Sequence, residues 1–240
     1  MSRIRMSFLI PRSPRCLFCL LFIALILPSG FAQTRSVPAR KSILEKIEWT
    51  WAAQPDTTDK SLPNVLLLGD SITRAYYPEV EKLLIGRANC YLFATSAASG
   101  DPRLVRQAND YFAMMPVHFA VVHFNNGMHG WGYSEAAYAE GLPTLAEALR
   151  AKSGGAKLIW ATTTPVHASD SGGATNERIN ARNAKALVTM RRFHVPVDDQ
   201  HALMSEHNDL HNGNVHYTEA GSAVQAGQVV KTIEALLPAR

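Results

Sequence analysis

Cysteine is scarce in this chain of 240 residues. There are three, and two of them, Cys16 and Cys19, lie in one apolar run near the start. Only Cys90 remains beyond it, and a single thiol cannot close an internal disulfide. Cys90 opens the apolar stretch Cys90-Tyr-Leu-Phe-Ala94, where a cysteine reads as a small core hydrophobe. After residue 19 there is no Cys-x-x-Cys pair, and nowhere a His-Glu-x-x-His or a Walker loop. The usual signatures of zinc, redox and phosphate-cradling sites are therefore missing. His211 and His216 are five residues apart in a Gly/Asn-rich stretch, which by itself makes no metal site. Charge is sparse as well, at 18% against 47% apolar residues, a balance that suits a packed core and not bulk disorder.

Acidic residues are absent before Glu45, while Arg3, Arg5, Arg12 and Arg15 crowd the start. Behind them runs the apolar stretch Cys16–Leu27, followed by Pro28-Ser-Gly-Phe-Ala32. A basic start, a short apolar stretch and a small-residue site describe a secretory signal peptide over residues 1–32. The 12-residue run is short for a membrane span, which needs about 20 apolar residues. The membrane is then met only through this segment, if it is retained. The formal charge of +4 comes from 24 basic and 20 acidic residues, and the four leading arginines account for all of the excess. No basic surface is left to bind nucleic acid, and a secreted or periplasmic location is expected.

Residues 33–40 read as a polar tether, 42–51 as a short helix, and 55–63 as a polar connection. From residue 63 onward the pattern becomes regular. Val65–Leu68, Tyr91–Ala94, Phe119–Val122 and Leu158–Ala161 are continuous apolar runs, with Val195-Pro-Val197 a shorter fifth. Runs apolar on both faces suit strands buried in a parallel sheet. Helix-length segments at 72–86, 103–115, 134–152, 176–192 and 218–237 follow them. This alternation predicts a single α/β domain over 63–240, a three-layer α/β/α sandwich around a parallel sheet of about five strands. Ligands in such sheets bind at the carboxyl ends of the strands.

Four short segments fall at those ends. Gly69-Asp-Ser-Ile-Thr73 follows the first run. It places Ser71 where a helix begins, with free N–H groups and the positive end of the helix dipole. A serine there can be a nucleophile whose oxyanion is stabilised, or Asp70 and Ser71 can simply cap the helix. Ser99-Gly-Asp101 follows the second run, where Gly100 allows close approach to a backbone N–H or makes a plain turn. His123-Phe-Asn-Asn126 ends the third, with asparagines suited to turns or to an oxyanion. Val215-His-Tyr-Thr218 precedes the last helix. It sets Thr218 as the helix N-cap and His216 on a loop at the sheet edge, where it can be a base that reaches across or an ordinary loop histidine.

In order and placement these segments resemble the SGNH family, also called GDSL-type hydrolases, over about residues 63–238. The resemblance implies a flavodoxin-like α/β/α fold and ester hydrolysis without cofactor or metal. It puts the nucleophile on Ser71 and the base on His216. The oxyanion hole falls on the N–H groups of Ser71 and Gly100 and on an asparagine amide, placed at Asn125, with Asn126 the alternative. The chain departs from the family in two ways. His123 stands where the family has glycine, with Asn126 in place of its aspartate. Gly213 occupies the place of the triad acid, three residues before the histidine. Asp209 is the nearest substitute, and a Ser–His pair oriented by a backbone carbonyl is the other option. The expected substrates are small acyl esters, acetyl among them, on a small molecule or glycan. No long apolar lid of the lipase kind is present. Trp131 and Tyr133 can stack on a sugar or pack on the protein, and residues 166–173 form a Gly/Ser-rich rim. A non-catalytic glycan-binding domain and an acyltransferase are the alternatives.

Overall fold

Five strands lie parallel because each is joined to the next by a helical crossover. A computed structural model of the protein describes residues 41–168 and 172–238. The expected leader at 1–32 and tether at 33–40 lie outside them. The central sheet contains β1 (Thr50–Ala53), β2 (Asn64–Gly69), β3 (Asn89–Thr95), β4 (Phe119–Phe124), β5 (Lys157–Ala161) and β6 (Val197–Asp198). Its spatial order is β1-β3-β2-β4-β5-β6, parallel throughout except for β1, which runs antiparallel to β3 with Thr50 opposite Thr95. Chain direction across the sheet therefore reverses between β2 and β4. That is the switch point, and a crevice opens there at the carboxyl ends.

Side chains of β2 alternate between the two faces, and each face has its own core. Leu66 and Leu68 pack with α2 (Pro102–Met114), α3 (Glu135–Lys152) and α4 (Asn176–Arg192). Val65 and Leu67 pack with α1 (Ser71–Leu83) and α6 (Glu219–Glu234). This is the expected three-layer sandwich, with both faces of the sheet buried. A short α5 (Gln200–Ser205) and a hairpin of β7 (His211–Asn212) and β8 (His216–Tyr217) lie before α6. Among the described residues no helix is long and apolar enough to cross a membrane.

The helix expected over 42–51 does not form. Residues 41–49 are irregular, with a bend at Lys46 and Ile47, and lead into β1. The apolar residues that suggested a helix face, Ile43, Leu44 and Ile47, are largely exposed. Long-range bonds win here over local propensity. The Trp49 N–H donates to Ser96 Oγ at 3.0 Å, the Ser96 hydroxyl donates to Glu48 Oε2 at 2.7 Å, and the Glu48 carboxylate also pairs with Arg103 at 2.9 Å. The last strand also lies slightly later than Val195–Val197. Pro196 offers only its carbonyl, which accepts from the Trp160 N–H at 3.0 Å.

Candidate active site

The turn from β2 into α1 is very tight. A Cβ on Gly69 would lie 2.0 Å from Thr73 Oγ1 and 2.9 Å from the Asn125 carbonyl oxygen, so only glycine fits. Asp70 is the N-cap, and its Oδ1 accepts from the Ile72 N–H at 3.0 Å. Its other oxygen accepts from the Met128 N–H at 3.2 Å, which ties the turn to the loop after β4. Ser71 is thereby fixed as the first residue of α1, at the positive end of that helix.

His216 reaches Ser71 from the far end of the chain. The β7–β8 hairpin that carries it is anchored to the loop after β5. The Tyr217 hydroxyl donates to the Pro165 carbonyl at 3.0 Å, and the His167 N–H donates to the Asn214 carbonyl at 2.8 Å. Thr218 caps α6 as expected, its Oγ1 accepting from the Gly221 N–H at 3.2 Å. His216 Nε2 lies 2.8 Å from Ser71 Oγ, a geometry in which the hydroxyl donates to the ring. Burial pushes the His216 pKa below the ordinary histidine value, opposed by Asp70 and assisted by the nearby His129 and Arg74. The imidazole is then neutral, and able to accept a proton, across the neutral range.

Among the described residues nothing hydrogen-bonds to His216 Nδ1. Asp209 sits on a 3-10 turn, Asn208–Leu210, and makes no hydrogen bond to the imidazole. Gly213 lies in the hairpin turn at φ 75°, a left-handed conformation that a side chain at the family's acid position would strain. The structure thus brings Ser71 and His216 together and leaves Asp209 apart from them.

The two asparagines point to opposite sides, as neighbours at a strand end must. The Asn125 amide donates to the Ala161 carbonyl and to Thr163 Oγ1, toward β5. The Asn126 amide donates to the Gly69 carbonyl at 2.9 Å and to the Ala97 carbonyl at 3.2 Å, between the ends of β2 and β3. Both N–H groups of each amide are therefore engaged. Gly100 packs against α3, where an added Cβ would meet the Tyr138 backbone at 3.2 Å.

The cleft over Ser71 and His216 is walled by Met128, His129 and Trp131 on one side and by Asn212 to Val215 on another. Glu45 and Lys46, from the segment that leads into β1, complete it. Of the two expectations for Trp131, packing on the protein is the one met. Trp131 lines the cleft and also packs on the protein, with the Arg182 guanidinium 3.8 Å from its ring centroid. Tyr133 packs only on the protein: it is buried, and its hydroxyl accepts from the Ile43 N–H at 2.6 Å. Sequence reasoning missed Glu45, His129 and Arg182. Nothing in their local pattern marks them, because each acts through partners distant in sequence. His123, where the family has glycine, is a buried core residue whose Nε2 lies 2.8 Å from Asp198 Oδ2. Cys90 is buried, and that burial pushes its thiol pKa up, in keeping with an inert core role.

No family model and no curated protein matches the sequence. Solved structures do match the fold. A member of the lipolytic G-D-S-L family from Veillonella parvula superposes with a TM-score of 0.58 at 17% identity, over 73% of this chain and 100% of that one. A GDSL-like lipase from Bacteroides thetaiotaomicron gives 0.57 at 17% identity, over 77% and 93%. A carbohydrate esterase family 3 protein from Talaromyces cellulolyticus gives 0.58 at 18% identity, over 72% and 97%. With its switch-point crevice between β2 and β4 and these neighbours, the chain has the fold of the SGNH/GDSL hydrolases.

Proposed function

We propose that this protein is an exported serine esterase of the SGNH type that releases small acyl groups, acetyl among them, from carbohydrate esters. The observation that carries the reading is the 2.8 Å contact between His216 Nε2 and Ser71 Oγ at the start of α1. His216 takes the Ser71 proton as the hydroxyl oxygen attacks the ester carbonyl. The tetrahedral oxyanion forms beside the Ser71 N–H, at the positive end of α1. Collapse of that intermediate expels the alcohol, which takes the proton back from His216. Water then attacks the acyl-serine with His216 again as base, releasing the acid and restoring Ser71. That no described residue bonds to Nδ1 supports a reading as a Ser–His pair.

The glycan side of the proposal is supported by an open, polar-rimmed cleft with Trp131 in its wall. The carbohydrate esterase among the structural neighbours supports it by analogy of fold. A purely glycan-binding domain would need no nucleophile held against a base. Acyl transfer shares the same covalent step and differs only in the acceptor. The test is acyl release from p-nitrophenyl acetate and from acetylated glycans, with an organophosphonate probe in parallel. Labelling and turnover are expected to vanish together in Ser71→Ala. Labelling that survives in the folded variant refutes the assignment.

A further inference from the structure

Across the cleft from His216 stands a second histidine with a carboxylate partner, which no described residue supplies to His216. His129 Nδ1 lies 2.8 Å from Glu45 Oε2, and the other Glu45 oxygen accepts from the Gly130 N–H at 2.7 Å. Glu45 belongs to the irregular segment 41–49, which is sewn to the domain on both sides of it. Ser42 Oγ donates to Asp101 Oδ1 at 2.9 Å, and Trp49 meets the His129 ring edge-on at 5.6 Å between centroids. The His129 backbone is fixed too, because its carbonyl accepts from Arg182 at 2.7 Å. The ring orientation is therefore set from three directions, and Nε2 makes no hydrogen bond to any described residue.

Neither asparagine expected to serve the oxyanion has an amide N–H left for it among the described residues. Both amides after β4 spend their N–H groups on protein oxygens, as described above. We propose that His129, oriented by Glu45, is the side-chain hydrogen-bond donor of this active site, giving its Nε2–H to the oxyanion that forms on the ester bound at Ser71. The inference rests on the esterase reading and extends it by a residue and its positioning partner.

Nδ1 donates its hydrogen bond to the Glu45 carboxylate, so donation from Nε2 as well requires the doubly protonated imidazolium. Burial by itself would lower the His129 pKa. The hydrogen bond that the ring donates to Glu45 and the negative charges of Asp70, Glu45 and Glu48 outweigh it, and the value is raised. The charged groups facing the ring come from the N-terminal segment (Glu45, Glu48), the β2–α1 turn (Asp70) and the hairpin (His216). The two histidines then divide the labour. His216 is neutral above its lowered pKa and serves as base, while His129 stays protonated up to its raised one. Activity should rise as pH passes the first value and fall as it passes the second.

The experiment compares wild type, Ser71→Ala, His129→Gln and Glu45→Gln on p-nitrophenyl acetate, with thermal melting to confirm folding. Loss of an oxyanion donor lowers turnover by about a hundredfold with little change in KM. His129→Gln should show that pattern. Glu45→Gln should lose about tenfold and move the basic limb of the kcat profile to lower pH, a shift that a merely structural role would not cause. The proposal is overturned if kcat in folded His129→Gln stays within about threefold of wild type. It is also overturned if only KM changes, or if the basic limb in Glu45→Gln does not move. Turnover surviving in Ser71→Ala overturns the esterase reading itself, and the inference falls with it. Loss in Ser71→Ala together with retention in His129→Gln overturns the inference alone.

Discussion

Replacing Arg182 should unfasten the loop that walls the active site. Arg182 lies on α4 and is fully buried, and among the described residues no carboxylate is paired with it. Its guanidinium instead donates to three carbonyls of one loop: Gly127 at 2.8 Å, His129 at 2.7 Å and Gly130 at 2.9 Å. It also lies 3.8 Å from the Trp131 ring centroid and 4.9 Å from that of Tyr138. A hydrogen bond to a charged group contributes about 1.5–3 kcal/mol, and a desolvated cation–π contact about 2 kcal/mol. Simple addition overshoots, because burying the charge has its own cost. That cost shows in the Arg182 pKa, which desolvation pushes down to about 10. Arg182→Met keeps much of the volume and removes the buried charge, but leaves three carbonyls without donors. A net loss of about 3–5 kcal/mol follows. For a domain of this size that is a Tm about 6–20 °C lower. Turnover should fall further than stability explains, since Met128 and His129 ride on the released loop. Differential scanning calorimetry and ester hydrolysis at a temperature where the variant stays folded check both parts. A Tm within about 2 °C of wild type would show that the loop holds without the guanidinium, and the reasoning would fail.

Two further outcomes concern residues flanking the Ser–His pair. Asp209→Asn should change kcat by less than about threefold, because its carboxylate makes no bond to His216 in the structure; a drop of several orders of magnitude would mean that the hairpin moves to recruit it as the triad acid. Asn125→Ala and Asn126→Ala should each lower stability by about 2–3 kcal/mol through lost buried hydrogen bonds, with turnover reduced by much less than a hundredfold. A hundredfold fall in kcat at constant KM in either variant would identify that amide as an oxyanion donor and remove the need for His129.

The layered architecture was legible from residue order. Val65–Leu68, Tyr91–Ala94, Phe119–Val122 and Leu158–Ala161 are apolar on successive residues, which only a strand covered on both faces can bury, and all four lie in the parallel sheet. Gly69-Asp-Ser71 was readable for a similar local reason: a strand turning directly into a capped helix needs a glycine, a cap and an exposed first residue in that order. Thr218 marked the start of α6 by its own side-chain chemistry. What tertiary structure alone decided are the features whose partners lie far apart along the chain. Segment 42–51 has the apolar spacing of a helix, yet it is drawn out by bonds to Ser96, Asp101, Arg103, His129 and Tyr133 and ends as a strand against β3. Glu45 meets His129 across 84 positions, and Arg182 meets the loop it holds across more than 50. His216 lies 145 residues from Ser71, and their 2.8 Å contact exists only because the β7–β8 hairpin, tied to the loop after β5, lies against α1. Local sequence fixes periodicity, caps and turns through forces between near neighbours. Which side chains finally face one another in the cleft depends on packing, which ordering along the chain does not encode at short range.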